Sequence, residues 1–354
     1  MGPPRQSGRE RGAEETGSGT SVAVTRRTLL AGAATGVASL AGCIVHGVDS
    51  GLEGEIQVDG SNTVLPHSAS VAEEFVWRNN QVDIPVRGSG TGAGFQLFCN
   101  GSTEVQNASR TIKDDEADLC AGNDVEYVEL EVALDGLAIY AHPENDWCDC
   151  LTIEELQRIW EPGSAVETWS DVRSEWPDEP FDLYGRDPAS GTFDYFTETI
   201  NGEVGAIRSD YSPSADTNVI IRGVRGDRYA LGFGGAGYYY ENEDDLKLIG
   251  VDGGDGCREP TLDSVETEEY QPLTRPLFAY VRKDALAREE VRAFARFYYE
   301  EIDDQAREAD VVEEGETLTW GQWSARMVRF FGLSDERLTD SAERLESAIE
   351  EVTG

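Results

Sequence analysis

The 354-residue sequence predicts an α/β protein folded as two lobes, and three observations carry that expectation. Short apolar runs of strand type alternate with stretches of helical period, the pattern of a sheet covered by helices. With an amino-terminal leader set aside, about 310 residues remain, more than one hydrophobic core comfortably organises. Gly, Ser and Thr also cluster where several helical patterns begin.

Strands are expected at 56–58, 84–86, 137–141, 183–184 and 248–251. Helices are expected at 65–79, 93–100, 153–160, 192–200 and 285–301. Two apolar segments, DGLAIYAHP at 135–143 and YQPLTRPLFAYV at 270–281, are expected to cross between the lobes as paired strands and to act as the hinge. The expected layout is a leader at 1–42, a tether at 43–54, the first part of lobe I at 55–140, lobe II at 141–271 and a return to lobe I at 272–354. In that last stretch Trp320, Trp323, Phe330 and Phe331 should dock a terminal helix on lobe I, with fraying after Ser334. Tyr238, Tyr239 and Tyr240 read as a strand end and core. No internal repeat at a fixed period is present.

Charge sets the solvent. The formal net charge is −40, from 69 acidic against 29 basic residues, a surface that repels nucleic acid and anionic lipid. Self-repulsion on that scale suits a salty, halophile-type setting, where the Debye length falls to about 3 Å at molar salt. An acidic disordered chain is excluded by 39% hydrophobic residues, regular patterns and seven Trp.

At the amino terminus, Arg26 and Arg27 precede an apolar, Ala- and Gly-rich run ending Leu40-Ala41-Gly42-Cys43. This reads as a twin-arginine signal peptide feeding a lipobox, too short for a comfortable membrane span. Cys43 would then become the lipidated first residue, anchoring an exported protein on the outer face of the cytoplasmic membrane. An uncleaved leader is the alternative that the polar stretch before Arg26 keeps open.

Three loops, GSNTV at 60–64, GSGTGAGF at 88–95 and GRDPASGTF at 185–193, place small hydroxyl residues at helix starts. A helix start offers unpaired N–H groups and the positive end of a dipole, and small residues let a tetrahedral oxyanion approach that backbone. Arg186, four residues before Ser190, adds a permanent charge and a fork of donors. The order of motifs, Gly-Ser-x-Thr-Val, Gly-Ser-Gly-x-Gly, Ala-Ser-Arg and Arg-x-x-x-Ser-Gly-Thr, resembles that of the phosphate-binding proteins of ABC transporters over residues 56–297. The resemblance implies a two-lobed type II periplasmic-binding-protein fold that closes on phosphate and hands it to a membrane permease, without a cofactor. It points to Ser61, Thr63, Ser89, Thr91, Ser109 and Arg110 from lobe I, and to Arg186, Ser190, Gly191 and Thr192 from lobe II. For Ser61 and Thr63 simple helix capping competes with ligand contact.

The chain departs from the best-known members at Ser109-Arg110, where those place an acidic acceptor for protonated phosphate. Asp59, Asp187 or a backbone carbonyl could take that part, and Arg110 could instead pair with Asp114 or Asp115. Asp187 is otherwise expected to buttress Arg186. Sulfate or molybdate is therefore the rival ligand, and a phosphate sensor the rival role. A phosphatase using Ser190 lacks the flanking glycines of a nucleophile elbow, since Pro188 and Thr192 stand there, and His142 is its nearest histidine in sequence. His46, His67 and His142 show no metal-ligand spacing, and no phosphate-loop motif for nucleotides occurs. Arg222, Arg225 and Arg228 read as neutralising neighbouring carboxylates. Cys99 and Cys120 bracket the third motif and are expected to form a disulfide, with Cys257 bridged to Cys148 or Cys150 and one thiol left free.

Overall fold

The computed structural model describes residues 51–354 except 189, 241, 268, 305, 307–310 and 313–314, so the leader and Cys43 lie outside the described residues. Strands β1 (Glu53–Glu55), β2 (Val58–Gly60) and β3 (Gln81–Asp83) open the chain, with helix α1 (Leu65–Arg78) between the last two. Next come α2 (Thr91–Cys99), β4 (Val105–Ala108), α3 (Asp114–Gly122) and the long strand β5 (Tyr127–Ala141). They are followed by β6 (Cys150–Thr152), α4 (Ile153–Trp160), α5 (Trp169–Val172), β7 (Asp182–Arg186), α6 (Gly191–Asn201), β8 (Ser212–Ser214), α7 (Thr217–Gly226) and β9 (Ala230–Gly235). The last are β10 (Lys247–Asp252), β11 (Cys257–Arg258), α8 (Leu262–Glu266), β12 (Thr274–Arg282), α9 (Glu289–Phe297), α10 (Trp320–Met327) and α11 (Asp335–Thr353).

β5 is the axis of the molecule. The main sheet runs β2-β4-β12-β5-β9-β7-β8, and β10 joins it beside β5 while also pairing with β6 and β11. Tyr127–Gly136 pairs antiparallel with β12, whereas Leu137–Ala141 pairs with β9. Val128, Leu130, Val132 and Ala133 are buried in one apolar core with α1 and α9, and Leu134 and Leu137 to Ala141 in a second with α4 and α6. The burial pattern follows this change. Tyr127, Glu129 and Glu131 alternate with buried neighbours as on a one-sided sheet, then every residue from Val132 to Ala141 is buried. One continuous strand therefore serves both lobes, with β12 beside it over the first of them. A smaller cluster of Phe95, Phe98, Phe278 and Tyr280 surrounds the Cys99–Cys120 disulfide, which staples α2 to α3 on either side of β4.

Several expectations are corrected. The strand expected at 84–86 ends earlier, at Asp83, because Pro85 has no N–H to give. Only its carbonyl accepts, from Val58 N, while Arg87 N donates to Val58 O, leaving a single bridge at Val86. The helix expected at 285–301 is a 3-10 turn, Asp284–Ala287, followed by α9, because Arg288 is extended. Its guanidinium reaches out to Glu104 and Glu290 at 3.0 and 2.8 Å. The tail does not fray after Ser334. α11 runs 19 residues, burying Ser341, Leu345, Ala348 and Ile349 as one stripe, and Arg296–Glu346 ties it to α9. Phe331 packs in the second core rather than on lobe I, drawn there by its backbone pairing with Leu134. β9 stops at Gly235, so Tyr238 closes a 3-10 turn rather than a strand, and Tyr239 and Tyr240 come after that turn, with Tyr240 40% exposed.

Cys150 bonds Cys257, and Cys148 is the free thiol, buried and with its pKa pushed up to about 12 by that burial. Arg225 pairs with Asp245 and Arg228 with Asp146, as neutralising residues should. No helix among the described residues is long and apolar enough to cross a membrane.

One buried base gives stability a pH dependence. His67 on α1 is fully buried, and burial holds its pKa down at about 4 from an ordinary 6.5, against the opposing hydrogen bond to Gly321 O. The folded state therefore refuses a proton that the unfolded chain accepts, so this contribution is complete above pH 6.5 and lost as pH falls towards about 4. It amounts to about 3 kcal/mol. Denaturant unfolding at both ends of that window should show wild type losing about that much more stability than His67→Gln. Parallel losses would refute the assignment.

Candidate anion-binding cleft

Between the two cores lies a cavity of about 740 Å³. Ser61, Thr63, Thr91, Ser109 and Arg110 line one wall, and Gly191 with the first turns of α6 lines the other. Each wall is shaped by a helix start. α2 begins at Thr91 after Gly90, whose φ of 96° is open to glycine and strained for other residues. The loop before it is braced from below: Asp59 Oδ1 accepts from Gly60 N at 2.7 Å and from Ser89 N at 3.0 Å, and Gln106 Nε2 donates to Thr91 O at 3.0 Å. Asp59 is thereby occupied holding backbone. Ser89 is exposed and is not part of the cavity wall, so its contribution is this backbone N–H.

On the opposite wall α6 begins at Gly191 with Ser190 as its N-cap. The Ser190 hydroxyl oxygen accepts from Arg186 Nε at 3.0 Å and from Thr192 N at 3.3 Å. Arg186, at the end of β7, also donates to Thr217 Oγ1 at 2.6 Å. Arg186, Ser190 and Thr192 thus form a bonded group immediately behind Gly191, which itself faces the cavity. A Cβ on Gly191 would overlap Thr63 Oγ1, so the two walls meet where no side chain fits between them.

The hydroxyls share one arrangement. A hydroxyl has one proton and two lone pairs, and here the oxygens are taken by donors from the protein. Ser190 Oγ accepts twice, Ser61 Oγ accepts from Thr63 N at 3.2 Å, and Thr91 Oγ1 accepts from Ser109 N at 3.4 Å. The Thr91 and Ser109 hydroxyls also bond each other at 3.2 Å, so one of those two protons stays within the wall, while the other hydroxyl protons and the N–H groups of the two helix starts are available to an oxyanion. Arg110 lines the cavity, but its guanidinium is committed to Glu116 through two bonds of 2.8 Å, not to Asp114 or Asp115. That pairing, more than any other influence, holds the Arg110 pKa above its usual value.

Arg275 and its neighbour Asp135 are absent from the sequence-derived site. Arg275 lines the cavity from β12, and its guanidinium stacks 4.2 Å from the Tyr195 ring centre and bonds Asp135 at 3.0 Å. Asp135 is 2% exposed. Burial pushes its carboxyl pKa up while Arg275 and Arg186 pull the other way. The available signal was a lone charge interrupting each of two apolar crossing strands. Asp194 and Glu198 of α6 line the outer cleft opposite Arg110 and Lys113.

This architecture, two α/β lobes around a cleft with one long strand shared between them, is that of a two-lobed solute-binding protein. A model of the PBP superfamily domain matches residues 15–301. The protein SphX of Synechocystis is 46% identical over 246 residues, 69% of this chain and 73% of that one. The phosphate-binding protein PstS of Staphylococcus saprophyticus is 36% identical over 264 residues, 74% of this chain and 80% of its own. The crystal structure of a possible phosphate binding protein from Planctomyces limnophilus superposes with a TM-score of 0.72 at 39% identity, covering 84% of this chain and 99% of that one. The chain belongs to the PBP superfamily and, within it, groups with SphX and PstS.

The contact at Gly191 makes a direct test of closure. Gly191→Ala should keep the walls apart, lowering oxyanion affinity about tenfold or more while changing unfolding free energy by less than about 1 kcal/mol. Unchanged affinity in a titration would show that the walls need not meet there.

Proposed function

We propose that this protein is an extracytoplasmic receptor that captures inorganic phosphate between its lobes and delivers it to an ABC permease. The observation that carries the reading is the convergence of donors on the cleft: the hydroxyls of Ser61, Thr63, Thr91 and Ser109, two helix starts, Arg275 in the lining and Arg186 bonded to Ser190 immediately behind Gly191. A buried oxyanion is tolerable when nearly all its oxygens receive hydrogen bonds, and this lining supplies donors from both walls. The family of SphX and PstS supports phosphate as that oxyanion. Ser61, Thr63, Thr91, Ser109, Gly191, Ser190 and Thr192 are proposed as donors by hydroxyl or backbone N–H, with Arg186 as the charged anchor. Arg110 contributes field more than contact, given its bond to Glu116. The closed form, stabilised by the ligand spanning both walls, is the form presented to the permease.

Transport rather than catalysis is favoured by the surroundings of Ser190. Its oxygen accepts from Arg186 and Thr192, and the two described histidines are engaged elsewhere, His67 with Gly321 O and His142 with Glu144 N.

Titration with phosphate, sulfate and molybdate in molar salt tests the reading, and stronger binding of either rival would reassign the ligand. Arg186→Ala should weaken phosphate binding by about 2 to 5 kcal/mol, and Ser190→Ala by about 1 to 2 kcal/mol. Arg225→Ala, paired with Asp245 on the surface, should leave it unchanged. Equal losses at Arg186 and Arg225 would place the anion elsewhere.

The twin arginines and the lipobox, outside the described residues, support export and anchoring through a lipid on Cys43. Cell fractionation should find Cys43→Ser released from the membrane, with phosphate affinity of the soluble protein unaltered. Its retention in the membrane fraction would rule lipidation out as the anchor.

A further inference from the structure

We propose that Arg275 is a positioning residue of the phosphate site, one that fixes the Thr63 hydroxyl as a donor and ties it to the first turn of α6. The inference rests on the phosphate reading and adds a residue on the crossing strand to a site otherwise built from loops. Nη2 of Arg275 lies 3.0 Å from Asp135 Oδ2, 3.2 Å from Gly191 O and 3.5 Å from Thr63 Oγ1. Nε also donates to Asp135 Oδ2, at 3.2 Å. One guanidinium therefore touches a residue of each wall and the floor between them.

Each contact has a separate consequence. Asp135 stands directly across the ladder from Arg275, and as a 2%-exposed carboxylate it fixes where the guanidinium can sit. The Tyr195 ring, 4.2 Å from the guanidinium carbon, limits movement on that side. From this held position Arg275 donates to the Thr63 oxygen. Thr63 is then left with its proton to give, which an oxyanion can accept. Arg186 does the same for Ser190 on the other wall, at 3.0 Å. The carbonyl of Gly191 lies in the first turn of α6, and its bond to Arg275 ties that helix start to the guanidinium that also reaches Thr63. The fork geometry matters because Nε can serve Asp135 while the two hydrogens of Nη2 serve Gly191 O and Thr63 Oγ1 in fixed directions, an arrangement that a single ammonium nitrogen on a flexible stem does not reproduce.

A brace between β5 and β12 would use the same ion pair, so the test must separate positioning from bracing. Phosphate titrations in molar salt on wild type, Thr63→Val, Arg275→Gln, Arg275→Lys and the Thr63→Val/Arg275→Gln double variant do so. Arg275→Gln should bind phosphate about ten- to a hundredfold more weakly, and Thr63→Val roughly tenfold more weakly. The double variant should fall no more than about threefold below Arg275→Gln, since Thr63 has lost its orientation once the guanidinium is gone. Arg275→Lys should retain the fold and the Asp135 pair yet fail to recover wild-type affinity.

Additive losses in the double variant, or wild-type affinity in Arg275→Lys, would overturn the proposal, because a brace lowers stability without coupling to Thr63. If Arg275→Gln does not fold, the cycle of Arg275→Lys with Thr63→Val decides by the same criterion. A wild type that binds no phosphate defeats the functional reading instead. The same five proteins titrated with sulfate then judge Arg275 separately, and coupling absent there, or no sulfate binding, defeats this inference too.

Discussion

A hydroxyl whose oxygen accepts two hydrogen bonds has only its proton left to give, and Ser190, behind the second wall of the cleft, meets that condition. Arg186 and the Thr192 N–H fill both lone pairs of Ser190, while on the first wall Ser61 and Thr91 each accept once from a backbone N–H and Thr91 also bonds the Ser109 hydroxyl. The result is a cavity preorganised for an acceptor, with its dipoles set before any guest arrives. Helix starts at Thr91 and Gly191 add fixed partial charge without adding titratable groups. That economy matters in a chain of net charge −40, where a broad basic surface would be neutralised by its own neighbours. The ion pairs of Arg225 and Arg228 show such neutralisation happening on the surface.

The long strand β5 makes this geometry possible. Because one strand contributes Leu130 and Val132 to the first core and Leu137 and Ile139 to the second, the walls are set by the ends of a single rigid element. Asp135 sits on that strand near the change of core, and the cation it holds comes from the adjacent β12. A buried carboxylate at this point would be costly alone, and the pKa displacement upward reflects its burial.

Much of this was legible in the sequence, for identifiable reasons. The starts of α1, α2 and α6 carry Gly, Ser and Thr within two or three residues, a local signal that singled out Thr63, Thr91 and Gly191, which line the cleft, and Ser190 just behind it. The Cys99–Cys120 disulfide followed from two cysteines flanking one motif. What was missed depends on distance along the chain. Arg275 and Asp135 are 140 positions apart and meet only through strand register, so the charge in each apolar crossing segment gave no sign of its partner. Arg110 was read as a ligand contact, with pairing to Asp114 or Asp115 as the alternative, but α3 turns Glu116 towards it and leaves those two exposed. The carboxyl-terminal helix was misjudged because its many acids suggested solvent, while the stripe of Ser341, Leu345, Ala348 and Ile349 decides its fate.

The Cys150–Cys257 bond closes a covalent ring with a sequence separation of 107. Tension applied between the two ends of the folded chain would pass through that bond and bypass the backbone it encloses, which contains α4, α6, α7, β7 and β9. Mechanical extension of the oxidised protein would therefore release only the chain outside this ring and the smaller one closed by Cys99–Cys120. Most of the second lobe would remain hidden length, appearing only after reduction.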